Sequence, residues 1–256
     1  THPMVLRPGA THYEPIAWDD AFALVADELN GLASPNEALF YTSGRSTFYA
    51  SFFSLCFGCL FVFNTLPYCS NMCHESSGVA LSETVGIGKG SVTLEDVETA
   101  ELIVVMGQNP GTNHPRMLTA LKAAKRRGAK IVAVNPLREA GLLKFVHPQS
   151  PRDLLTGGVD LADLYLQVQI GGDVAFLKAA LKTLLMRERS SPGTVVDADF
   201  VAEHTEGYDA LVRDLDGQDL DALVRASGLR PDEVEAFSAL VAERPRMIVT
   251  WAMGQT

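Results

Sequence analysis

Cysteine is scarce in this chain of 256 residues. There are four, Cys56, Cys59, Cys69 and Cys73, all within one short stretch. A secreted domain stapled by disulfides spreads its cysteines out, so a reducing compartment is expected. Positive charge is scarce too: 21 lysines and arginines face 31 acids, a formal net charge of −10. That balance argues against nucleic acid or an anionic membrane as the main partner, while leaving room for a local basic pocket. Long apolar runs are missing. Residues Phe48 to Phe63 come nearest, but the run contains Ser51, Ser54 and Gly58 and falls short of the roughly 20 residues that cross a bilayer. No membrane span is expected. Thr1 is followed by no charged and then apolar leader, so no secretory signal is read and the expected setting is cytoplasmic.

The common phosphate-binding signatures are also lacking. Gly86-Ile87-Gly88-Lys89-Gly90-Ser91 has no Ser or Thr directly after its lysine, and no strand precedes it. No G-x-G-x-x-G follows a strand. ATP and NAD therefore lose their usual sequence basis. No internal repeat is present.

What is present reads as a soluble globular protein with a sizeable core, 47% hydrophobic and 20% charged. Residues 1–17 read as an irregular lead-in. A helix opens at Trp18-Asp19-Asp20, with Asp19 as the expected cap and Phe22, Val25, Ala26 and Leu29 on one face. Glu37 to Tyr41 reads as a short strand, and Thr42 to Arg45 as a polar turn. The apolar run Leu102 to Met106 suits a buried parallel strand. Pro115 opens the next helix, Gly128 ends it, and Lys130 to Val134 is the following strand. This is a β-α-β unit with a right-handed crossover. Helices are expected from about Asp173 to Arg187, Asp197 to Leu215 and Pro231 to Glu243, and a strand from Met247 to Trp251. Ser190 to Gly193 reads as an exposed loop rather than a domain boundary. The fold class is α/β, with a Rossmann-like, mostly parallel sheet flanked by helices.

In such sheets ligands bind beyond the carboxyl ends of the strands. Loops 107–114, 135–138 and 252–256 lie there and are polar and rich in Gly or Pro. Their backbone N–H groups suit phosphates and their side-chain amides suit a base, although plain connections have the same composition. Cys56 and Cys59 form a C-x-x-C that, with Cys69 and Cys73, would suit zinc or an iron–sulfur cluster. Their greasy surroundings equally suit small core residues. In Cys73-His74 a soft thiolate ligand stands beside a proton acceptor that works near neutral pH. The same dipeptide also reads as a buried cysteine next to a surface histidine.

Taken in order, seven segments resemble the molybdopterin oxidoreductase family, in its formate dehydrogenase alpha-subunit-like branch. They are Pro15 to Ala21, Ser43-Gly44-Arg45, Leu66 to Glu75, Gly107-Gln108-Asn109-Pro110 with Val134-Asn135-Pro136, Gln169 to Asp173, Phe200 to Gly207, and Trp251 to Gly254. The resemblance implies a molybdenum bis(molybdopterin guanine dinucleotide) cofactor. Cys73 would be the metal ligand, and His74 would take the substrate proton as two electrons pass to the metal. Ser43, Gly44 and Arg45 would form the first cofactor turn. Gly107, Gln108, Asn109, Thr112, Asn113, Asn135, Pro136, Gln169, Gly171, Asp173, Met253 and Gly254 would hold the dinucleotide arms. Asp173 suits guanine, because a carboxylate accepts two N–H bonds. Residues 1–100 would be the first cofactor segment with the Cys-His site, and residues 101–256 the dinucleotide-binding layer.

The resemblance also implies a small-molecule substrate such as formate and an electron-accepting protein or subunit. The family's 4Fe–4S cluster is implied for the full-length protein, but its ligands would lie before Thr1. The chain is thus expected to be an internal fragment, inactive alone. Residues Thr47 to Phe63 depart from the family by being almost wholly apolar. The alternatives are a non-catalytic relative acting as a binding or assembly module, and a cysteine-based zinc or iron site.

Overall fold

The computed structural model describes residues 2–41, 48–61 and 73–255. They form two compact units, Thr1–Ala80 and Leu81–Thr256. In the first, β1 (Met4–Val5) pairs antiparallel with β2 (Glu14–Pro15). The lead-in expected to be irregular thus carries a short ladder. Helix α1 spans Trp18–Asn30 and begins after the extended residue Ala17. Because it starts at Trp18, Asp19 falls inside the first turn and does not cap the end. There its charge still meets the positive end of the helix dipole. Phe22 is 65% exposed, so the apolar face of α1 is largely uncovered in this structure.

The strand expected over Glu37 to Tyr41 does not form. Pro35–Glu37 is a 3-10 turn, capped by the Ser34 hydroxyl, which accepts the N–H of Asn36. Proline fixes φ and drives the turn, and the residues after it find no ladder among the described residues. The apolar run is helix α2 (Phe48–Phe61), and Leu60 on it is 83% exposed. Among the described residues no helix is long and apolar enough to cross a membrane. Helix α3 (Glu75–Val85) follows Cys73 and His74.

The second unit is built on a sheet. In chain order it contains α4 (Leu94–Thr99), β3 (Leu102–Met106), α5 (Pro110–Asn113), α6 (Met117–Arg126), β4 (Lys130–Val134), α7 (Ala140–Leu143), β5 (Lys144–Phe145), α8 (Pro151–Thr156), β6 (Val159–Asp160), β7 (Leu164–Leu166), α9 (Asp173–Ser190), α10 (Ala198–His204), α11 (Tyr208–Asp216), α12 (Leu220–Ser227), α13 (Pro231–Glu243) and β8 (Met247–Trp251). Four of these strands form a parallel sheet in the order β7-β4-β3-β8. All five residues of β3 are buried, as befits a central strand with helices on both faces.

Side chains alternate between two cores. On one face Leu102, Val104, Met106, Val132 and Val134 meet Phe176 and Ala180 of α9, Val224 of α12, and Phe237 of α13. On the other, Ile103, Val105, Ile131 and Ala133 meet Leu118, Leu121 and Ala124 of α6. The excursion between β4 and β7 is tied to α6 by a buried ion pair between Lys122 and Asp153, whose side chains are 6% and 2% exposed. Asp153 also accepts the N–H of His147 at 3.0 Å and the Ser150 hydroxyl at 3.1 Å.

The single helix expected over Asp197 to Leu215 is two helices. Asp197 caps α10, and Gly207 at φ 81° starts α11 in a left-handed turn that only glycine adopts readily. Helix α12, which the periodicity does not announce, runs from its cap Asp219 to a left-handed Gly228.

Candidate functional site

Strand order reverses direction at β3. From β3 the chain crosses to β4 and then β7 on one side, and returns to β8 on the other. A crevice opens at such a reversal, outside the carboxyl ends of the two strands that flank it. Here the flanking strands are β3 and β8, followed by residues 107–109 and 252–255. The loops after β4 and β7 end on the same edge of the sheet.

The two loops at the reversal lie in close contact. Gly107, at φ 54°, accepts the N–H of Gly254 on its carbonyl at 3.0 Å. A Cβ on Gly107 would stand 2.9 Å from the backbone of Gly254, so glycine is needed there. The Gln255 amide passes over Gly107 and donates to Asp173 Oδ1 at 2.8 Å. Asp173 is the first residue of α9, so the loops after β7 and β8 meet above the end of β3. Gly171, at φ 80°, makes the turn into this helix, and the Gln169 amide is held by the carbonyl of Ala226 at 2.6 Å.

Gln108 lies beside Gly107 and is 8% exposed. Its Nε2 approaches His114 Nδ1 at 3.4 Å, while its buried Oε1 has no hydrogen-bond donor among the described residues. Leaving a buried acceptor unpaired costs about 1–3 kcal/mol, so this oxygen is suited to a ligand N–H. Asn109 caps α5 by accepting the N–H of Thr112 at 3.2 Å, and its Nδ2 donates to Glu139 at 2.9 Å. Gly111 and Gly141 meet so closely that a Cβ on either would lie 2.6 Å from the other's Cα. Thr112 and Asn113 are exposed at the mouth.

The loop after β4 is held at several points. Asn135 Nδ2 donates to the carbonyl of Leu137 at 2.9 Å, and Gln167 Nε2 donates to that of Pro136 at 3.2 Å. The Tyr165 hydroxyl donates to the Leu137 carbonyl and accepts the N–H of Glu139.

The structure therefore brings together Gly107, Gln108, Asn109, Thr112, Asn113, Asn135, Pro136, Gln169, Gly171, Asp173, Met253 and Gly254 at one sheet edge. Sequence reasoning missed Gln255, Glu139 and Tyr165. Gln255 has a signal, being the polar residue directly after Gly254. Tyr165 and Glu139 have none, because their partners are distant in sequence. Ser43, Gly44 and Arg45 lie outside the described residues, as does Cys69.

In the first unit Cys73 is half-buried and His74 is exposed. The His74 carbonyl accepts the N–H of Gly78, so the pair forms the entry to α3. Cys56 and Cys59 sit one helical turn apart on α2, and among the described residues no three His, Cys, Asp or Glu side chains come together as a metal site.

Comparison with known proteins agrees with this architecture. The family model for molybdopterin oxidoreductase matches residues 1–184. An uncharacterized oxidoreductase of Mycobacterium tuberculosis is 50% identical over 258 residues, covering 100% of this chain and 33% of its own length. Formate dehydrogenase H of Escherichia coli is 25% identical over 263 residues, covering 99% of this chain and 33% of its own. Among solved structures, acetylene hydratase from Pelobacter acetylenicus shares the fold with a TM-score of 0.61 at 19% identity, over 96% of this chain and 31% of that one. The chain thus spans about a third of the length of the curated relatives it matches. With its α/β architecture and a family match over most of its length, the chain belongs to the molybdopterin oxidoreductase family.

Proposed function

We propose that the protein containing this chain is a molybdenum-dependent oxidoreductase carrying out the two-electron oxidation of formate or a similarly small molecule. Residues 1–100 are its first cofactor segment and residues 101–256 its dinucleotide-binding layer. The observation that carries this reading is the glycine contact at the strand-order reversal, next to the unpaired buried Oε1 of Gln108. Backbone approaches this close, with amides and one carboxylate around them, fit a guanine dinucleotide better than they fit plain connections.

When bound, the molybdenum bis(molybdopterin guanine dinucleotide) cofactor supplies a two-electron acceptor. Cys73 gives it a thiolate, a soft ligand apt for the metal. His74 takes the substrate proton on its imidazole and passes it to solvent, which its exposure permits. Asp173 accepts N–H bonds from guanine, and its partner Gln255 orients the carboxylate. Asn109, Thr112, Asn113 and Asn135 hold the dinucleotide, with Gly107, Pro136, Gly171, Met253 and Gly254 giving the backbone close access. Gln108 accepts a ligand N–H, and Gln169 fixes the turn into α9. Ser43, Gly44 and Arg45 are the first cofactor turn in this reading. A 4Fe–4S cluster elsewhere in the protein and an electron-accepting protein or subunit would supply the outlet for the two electrons, in a cytoplasmic setting. Formate dehydrogenase H supports formate as the candidate at 25% identity.

The test is elemental and nucleotide analysis of the protein made from its intact gene in a host that makes the cofactor. About one molybdenum and about two guanine nucleotides per chain are expected. Neither would mean that the fold persists as a binding or assembly module. Cys73→Ala should abolish molybdenum coordination and turnover together; unchanged values for both would remove Cys73 from the ligand set.

A further inference from the structure

At the amino edge of the sheet, the end opposite the loops described above, lies a cavity of about 430 Å³. Its walls come from α9, α11, the end of α13 and Met247, the first residue of β8. They are mostly apolar, with Leu181, Leu184, Leu211 and Val241 among them. Leu181 and Leu211 are each 41% exposed, so no described residue closes over this surface. Pockets of roughly 300–1,000 Å³ with apolar walls and a few placed polar groups suit small molecules. The loop that completes the wall is fixed, because Glu188 accepts the N–H groups of Val195 and Val196 at 2.8 and 3.0 Å.

Among the described residues one charged side chain lines this cavity, that of Arg244, directly after α13. Its Nε is buried without a hydrogen-bond partner, and no described carboxylate forms an ion pair with it. By contrast Arg187, Arg189 and Arg246 hold Glu235, Asp216 and Glu101. Glu101 also feels the Arg244 charge, but its carboxylate is taken by Arg246 at 2.6 Å. A guanidinium among leucines with no counter-charge is costly. A carboxylate removes that cost, because two oxygens match the planar fork of N–H donors. The Tyr208 hydroxyl, on the same lining, makes no hydrogen bond among the described residues and offers a second donor. We propose that this cavity binds a small monocarboxylate with an apolar tail. The carboxylate sits on Arg244 and the tail lies among the leucines of α9 and α11. The site is independent of the cofactor reading, since it lies at the other end of the strands.

The probe is octanoate, titrated by calorimetry into holoprotein made from the intact gene. Saturable binding at a single site is expected. Octylamine keeps the tail but reverses the charge, and acetate keeps the charge without the tail. Both should bind at least about tenfold more weakly. R244A should weaken octanoate by about tenfold to a hundredfold, as expected for charge-assisted hydrogen bonds. R244K should lose less, because it keeps the charge but not the fork. If R244A fails to fold by circular dichroism, R244Q is read by the same criteria. Octanoate affinity unchanged in the folded variant, or octylamine bound as tightly as octanoate, would overturn the proposal. So would wild type that binds no octanoate, the result expected if an acidic side chain elsewhere in the protein already occupies Arg244.

Discussion

Replacing Gly107 with alanine probes the contact on which the crevice depends. Gly107 has φ 54°, in the left-handed region, where an L side chain costs roughly 1–2 kcal/mol. The new Cβ would lie 2.9 Å from Gly254 Cα and carbonyl carbon, and 3.0 Å from Gln255 Nε2. Two of those atoms are backbone, so the loop at 252–255 must move, at a further cost of roughly 1–3 kcal/mol. The sum is about 2–5 kcal/mol. Moving that loop also strains the Gly254 to Gly107 hydrogen bond at 3.0 Å and the Gln255 to Asp173 bond at 2.8 Å. Guanine nucleotide retention should therefore fall with stability. The assay is urea denaturation of intact holoprotein, with nucleotide per chain measured in parallel. Gly193→Ala is the internal control. Gly193 has φ 78° in an exposed turn and nothing within 4 Å of its Cβ, so it carries only the conformational cost. Equal midpoint shifts in the two variants, with full nucleotide retention in Gly107→Ala, would refute the steric reasoning.

Two further outcomes follow from the core. The Asp153 carboxyl is held at about 2, down from 3.8, first by the Lys122 ammonium and then by the His147 backbone N–H. Its stabilisation is complete above its unfolded value near 3.8 and is lost as pH falls through about 2. Asp153→Asn should weaken the protein at neutral pH and flatten the fall in denaturation midpoint across that window; parallel profiles would show that the pair contributes nothing. Phe176 is fully buried, with its ring centroid 4.9 Å from that of Phe237. Phe176→Ala should cost about 3–5 kcal/mol in urea denaturation, and a cost below about 1 kcal/mol would contradict the continuous core beneath the sheet.

The central strands Leu102–Met106 and Lys130–Val134 and the edge strand Met247–Trp251 were legible because they are short apolar runs set between turn residues. Helix Pro231–Glu243 was legible from a proline at its start and an apolar stripe. Strand Leu164–Leu166 was not, since three residues carry no period. The break at Gly207 was hidden by apolar residues that continue at helical spacing on both sides. Ala38 to Tyr41 is strand-like in composition, but among the described residues it joins no ladder, and a strand needs a neighbouring strand to pair with. The site divides in the same way. Gly, Pro and Asn after strands marked the loops, because those residues serve unusual backbone conformations. The bonds from Asn109 to Glu139, Tyr165 to Leu137 and Gln255 to Asp173 connect positions 30, 28 and 82 residues apart. Nothing local signals such pairs.

The position of β3 between a near neighbour and a remote one sets an order of assembly. Its partner β4 follows after a crossover containing α5 and α6, whereas on its other side the ion pair from Arg246 to Glu101 joins residues 145 apart. Translation proceeds at about 5–20 residues per second, so β3 and β4 can pair many seconds before β8 has been made. During that interval one edge of a hydrophobic strand stands open, the condition under which nascent sheets stick to other chains. The Gly107–Gly254 contact does not exist until β8 docks. On the proposed reading, a dinucleotide that needs this contact would therefore be loaded only after β8 has been made.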